Sequence, residues 1–98
     1  MSTPNVVDKP DALTAKCRLH NRSVAELRVI DISLAGCMVE RRAWTFKPDE
    51  RILIKLPGLE YQTANVIWSD EDHAGIAFEN LLYEPVLHRL RRLLMGPA

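Results

Sequence analysis

The sequence predicts a mainly β fold, a small antiparallel barrel or sandwich of six strands, followed by a C-terminal α-helix. Three observations carry that reading. Short apolar runs recur at even spacing between turn residues, the pattern of small all-β domains. The clearest run, Arg51-Ile52-Leu53-Ile54-Lys55-Leu56, alternates with period two, sending Ile52, Ile54 and Leu56 to one face and Arg51 and Lys55 to the other. The last run changes period: Val86, Leu87, Leu90, Leu93 and Leu94 fall at helical spacing, while His88, Arg89, Arg91 and Arg92 fill the opposite face.

Each element follows from its residues. Residues 1–12 carry Pro4 and Pro10 and no periodicity, which predicts a flexible N-terminal arm ahead of a single domain over 13–98. Leu13 to Leu19 predict a first strand, His20-Asn21-Arg22-Ser23 a polar turn, and Val24 to Ile32 a second strand. Cys37 to Glu40 form a third strand after a turn at Gly36, and residues 41–50 are a connection ending in turn residues. Arg51 to Leu56 are the fourth strand, closed by Pro57-Gly58. Glu60 to Ser69 are the fifth, Asp70-Glu71-Asp72-His73 a hairpin loop, and Ala74 to Phe78 the sixth. The helix is expected over about 85–95, with Pro85 in its first turn and Gly96-Pro97 as its stop.

Composition narrows the class. Ninety-eight residues allow one small domain. Thirteen basic and thirteen acidic side chains cancel, so no global field attracts nucleic acid or membrane, and any bound anion must be held by a local cluster. The N-terminus lacks the apolar run of a signal peptide, and no 18-residue apolar stretch exists to insert in a membrane, so the expectation is a soluble, cytoplasmic chain. Cys17 and Cys37 lie in apolar strands, as small reduced hydrophobes do, and no Cys-x-x-Cys pair offers a metal site.

Function is sought where polar groups interrupt the apolar pattern, at Asp31-Ile32-Ser33-Leu34-Ala35-Gly36. Residues two apart on a strand share a face, so Asp31 and Ser33 present a carboxylate and a hydroxyl side by side. Gly36 can take a positive φ or let another backbone or a ligand come close. A carboxylate can accept two N–H groups at once, as a guanine edge offers, and a hydroxyl can donate to phosphate. The same residues also suit a bulged strand and a self-capped turn.

Residues 16 to 95 resemble the PilZ domain, the bacterial cyclic-di-GMP receptor module. The second strand of that family ends in the [Asp/Asn]-x-Ser-x-x-Gly pattern matched by Asp31, Ser33 and Gly36. Val66-Ile67-Trp68 followed by Gly75-Ile76-Ala77-Phe78 is similar to its late hairpin, and a Leu-rich helix closes both. The resemblance implies a six-stranded antiparallel barrel with a C-terminal helix and a signalling module rather than an enzyme. It also implies cyclic di-GMP as ligand, with relay by contact with an unidentified protein partner. Monomer and homodimer both remain open. The alternative is a degenerate member, an adaptor that no longer takes the nucleotide.

In the family an Arg-x-x-x-Arg motif just before the first strand grips the ligand, because guanidinium forks bind phosphate and guanine edges bidentately. Arg18-Leu19-His20-Asn21-Arg22 has that spacing, so Arg18 and Arg22 join Asp31, Ser33 and Gly36 as candidate ligand-binding residues. They fall, however, on the first strand and its turn, and residues 1–15 contain no arginine. Other groups carry less. Asp70, Glu71 and Asp72 read as a solvated tip rather than a cation loop. His20, His73 and His88 are scattered, and the helix arginines read as its wet face. Trp44, Phe46 and Trp68 read as core or barrel-mouth packing. No nucleophile elbow, phosphate loop or metal-ligand spacing appears, and no resident cofactor is expected.

Overall fold

The computed structural model describes residues 13–19, 23–42 and 44–95. The arm expected over 1–12, and with it Arg22 and His20, lie outside the described residues. Six strands run in order: β1 (Thr14–Arg18), β2 (Val24–Ile32), β3 (Gly36–Glu40), β4 (Arg51–Lys55), β5 (Gln62–Ser69) and β6 (His73–Phe78), followed by α1 (Glu84–Met95). The six predicted strands and the helix are all present, with ends differing by at most two residues, and the Gly96-Pro97 stop lies outside the described residues.

The strands close into an antiparallel barrel in the order β1-β2-β3-β6-β5-β4. Closure resolves the choice between barrel and sandwich: β1 pairs with β2 on one side and with β4 on the other, at Lys16↔Lys55, Cys17↔Ile54 and Arg18↔Leu53. Pairing both sides of β1 removes the exposed edges an open sheet would leave. Six strands enclose a narrow interior, and the inward residues are small or branched, among them Ala15, Cys17, Leu27, Val39, Ile54, Val66 and Ile76, all buried. Burial pushes the Cys17 thiol up to about 12 and raises Cys37 as well, so both free thiols stay neutral.

Helix α1 seals one mouth of the barrel. Leu87 and Leu90 are buried, Val86 and Leu94 pack against the core, and Leu93, expected in the same stripe, is instead 36% exposed on the flank. The helix begins one residue before Pro85; Leu87 N–H donates to the Tyr83 carbonyl at 3.0 Å, and Glu84 puts an anion in the first turn. Two arginines expected to be merely solvated fasten the helix to the barrel rim. Arg89 Nη2 reaches the Pro57 carbonyl at 3.5 Å, and Arg91 Nη2 the Ile32 carbonyl at 3.4 Å.

Candidate functional site

Two β-bulges decide which side chains leave the barrel. Along β2, Ala25, Leu27 and Val29 point inward, and continued alternation would bury Asp31 too. The β2–β3 register instead slips between Val29↔Val39 and Asp31↔Met38, leaving Ile30 unpaired and turning Asp31 outward. The same happens on β5. Ala64 and Val66 point inward, then the register slips between Val66↔Ile76 and Trp68↔Gly75, so Ile67 bulges and Trp68 swings to the outer face. Trp68 is 40% exposed and Ile67 56%, which overturns the expectation of Trp68 as core or barrel-mouth packing; Phe46, at 3%, is core, and Trp44 packs against the core.

The register aligns the two displaced residues. Asp31 faces Met38, Met38 faces Gly75, and Gly75 faces Trp68, forming one row across β2, β3, β6 and β5 on the barrel exterior. A Cβ on Gly75 would overlap the Trp68 indole at Nε1 and Cε2, so the missing side chain lets the ring lie flat on β6. At strand spacings of roughly 5 Å, the Asp31 backbone and this platform are about 10 Å apart. Between them runs a groove of about 310 Å³, lined by Asp31, Ser33, Gly36, Met38, Trp68 and Gly75 among others. A carboxylate at one side and an indole at the other suit a flat, N–H-bearing ring.

The turn beyond Asp31 is built from its own polar atoms. Asp31 Oδ1 accepts from Ile32 N–H at 2.9 Å. Ser33 N–H donates to the Gly36 carbonyl at 2.8 Å, while Ser33 Oγ donates to the same carbonyl and accepts from Ala35 N–H, both at a long 3.3 Å. Those long bonds leave the hydroxyl able to turn toward a ligand. Gly36 owes its place to close approach and not to positive φ: a Cβ there would collide with the Ile76 carbonyl oxygen, where β3 crosses β6.

The family model for the PilZ domain matches residues 10–96. The chain belongs to the PilZ domain family. No curated protein matches it. PilZ domains are binding and signalling modules of the cyclic di-GMP system, and the closed barrel with its sealing helix is the architecture expected from the resemblance. No described helix is long and apolar enough to cross a membrane. No group of three or more His, Cys, Asp and Glu side chains among the described residues could hold a metal.

Of the candidate site residues in this PilZ domain, Asp31, Ser33 and Gly36 come together and Arg18 does not join them. Arg18 pairs with Val24 at the start of β2, whereas Asp31 is near its end, roughly 20 Å along the strand. Antiparallel pairing forces this separation, because a hairpin sends the end of its first strand to the start of its second. The guanidinium of Arg18 lies over the Tyr61 ring, 5.3 Å from its centroid. Arg91 is the guanidinium that sequence reasoning missed: it sits on the carbonyl between Asp31 and Ser33. Only the packing of α1 across β2 brings it there.

Proposed function

We propose that this chain is a receptor for cyclic di-GMP. Asp31 accepts the N–H edge of a guanine, Ser33 donates to a phosphate, and Trp68 stacks on the base. The observation that carries the reading is the single outer row from Asp31 through Met38 and Gly75 to Trp68, which joins an acceptor and an aromatic face across one groove. Arg91 supports it by supplying a cation next to the motif. Asp31 then serves as a hydrogen-bond acceptor, and the module's output is a changed surface for a protein partner, not a reaction. The test is titration of the chain with cyclic di-GMP, followed by calorimetry and by Trp68 emission. Saturable binding lost in both Asp31→Ala and Trp68→Ala supports the assignment, and unchanged affinity in Asp31→Ala overturns it.

A second reading has its own observation. Residues 1–12 contain no arginine, and Arg18, the described half of the only Arg-x-x-x-Arg before Asp31, stacks on Tyr61 at the far end of β2. That arrangement supports a degenerate PilZ domain working as a protein–protein adaptor. Micromolar or tighter binding of cyclic di-GMP removes this reading, and a flat titration selects it.

A further inference from the structure

Arg18 has no role in the nucleotide groove, yet it belongs to a group of cations on the other side of the barrel. We propose that the outer face of the β1–β4 seam binds a phosphoryl group through Lys16, Lys55 and Arg18. The seam is across the ring from the β3–β6 pair that floors the nucleotide groove, so the two sites are independent.

Lys16 and Lys55 are direct cross-strand partners, and like charges so paired are destabilising, with Cβ atoms roughly 5 Å apart. Neither lysine forms an ion pair among the described residues; the pairs Arg28–Glu40 and Arg51–Glu79 lie elsewhere. Arg18 adds a third charge. It follows Lys16 by two residues on the exposed face of β1 and reaches across β4 to the Tyr61 ring. The β4–β5 register, with Ile54 facing Gln62, runs on to set Tyr61 beside Lys55. Stacking on Tyr61 therefore fixes the Arg18 guanidinium on the flank of Lys55.

Between the lysines is a hollow of about 150 Å³ with Thr14, Glu26 and Pro57 in its wall. Among the described residues Glu26 is the one carboxylate in its wall; it faces Lys16 across β1–β2 and accepts from Thr14 Oγ1 at 3.4 Å. Arg89 Nη2 donates to the carbonyl of Pro57, a residue of the hollow's wall. Among the described residues, the two lysines of the hollow and Arg18 on the flank of Lys55, set against Glu26, leave an excess of two positive charges. A phosphate monoester, with a charge of about −2 and three acceptor oxygens, matches that excess and relieves the lysine repulsion.

The test is amide NMR of the ¹⁵N-labelled full chain at low ionic strength. It is titrated with inorganic phosphate, with a phosphoserine peptide, and with sodium chloride at matched ionic strength. The expected result is saturable shifts confined to Thr14–Arg18, Leu53–Leu56 and Tyr61, unchanged in Asp31→Ala. Lys55→Gln or Lys16→Gln should weaken the response at least tenfold. Each should also melt higher than the parent chain without anion, because the repulsion is gone. A response to both phosphate probes defines a small-anion site, and a response to the peptide alone defines a docking site for a phosphorylated partner; either supports the proposal. Shifts that chloride reproduces, or that survive both lysine substitutions, overturn it.

Discussion

Two hairpin turns in this barrel use the same local chemistry and end up with different standing. At the β2–β3 turn Ser33 Oγ accepts a backbone N–H two residues on; at the β5–β6 turn Asp70 Oδ1 accepts from Asp72 and His73 N–H at 2.9 and 2.8 Å. The first turn is also held by the rest of the molecule. Phe78 N–H donates to the Ala35 carbonyl at 2.8 Å, Leu82 N–H to Leu34 at 3.0 Å, and Arg91 to Ile32 at 3.4 Å. The second turn takes its described outside support from one residue, Arg41, which donates through Nη1 to the Asp70 carbonyl and through N–H to that of Asp72. Local sequence makes a turn in both cases. Long-range ties make the first a rigid rim for the groove, and their scarcity leaves the second a solvated tip.

Substitutions can break or sharpen this contrast. The largest effect is expected at Gly36→Ala, where the new methyl meets backbone that cannot step aside; urea unfolding should show a loss of about 3 kcal/mol. An unchanged midpoint would mean that the rim is not rigid. Gly75→Ala meets only the Trp68 side chain, which can swing away, so a loss of about 1 kcal/mol and red-shifted Trp emission are expected. Arg91→Ala cuts one tie between helix and rim and should cost about 0.5–1 kcal/mol, with faster amide exchange at the β2–β3 turn and unaltered exchange at the β5–β6 turn.

The smallest effect belongs to Asp70→Asn and is pH-dependent. The His73 and Asp72 N–H bonds hold the exposed Asp70 carboxyl below its ordinary value of 3.8. A depressed carboxyl contributes stability above its unfolded value and loses it as pH falls through the folded one. The parent chain should therefore exceed Asp70→Asn in melting temperature at neutral pH, and the gap should close as pH drops below about 3.8. A gap that persists in acid would assign the difference to something other than the carboxylate.

What could be read in the residues was whatever repeats locally. Ile52, Ile54 and Leu56 are buried as their alternation predicts, and α1 follows from its leucines. What could not be read depends on pairing. Extending the Ala64–Val66 alternation points Trp68 inward, and only the register slip at Ile67 reverses it, a fact that belongs to β5 and β6 jointly. Gly36 carried two readings, positive φ or close approach; the Ile76 carbonyl chose between them from forty residues away. Arg18 and Arg22 had motif spacing, but spacing along the chain says nothing of which end of a hairpin each occupies. Arg91 looked solvated because a helix wheel does not show what its flank will meet.

Ring closure through β1 and β4 limits how any partner can recognise this molecule. Many sheet proteins recruit peptides by lending them a strand position, so that main-chain hydrogen bonds supply affinity whatever the guest's sequence. Here each of the six described strands is paired on both sides, so the ring offers no free edge strand. Recognition at the described barrel would then run through side chains and loops. For the proposed receptor, a partner would be selected by the pattern of charge, indole and hydroxyl on the barrel wall, a surface that single substitutions can rewrite without disturbing the scaffold beneath.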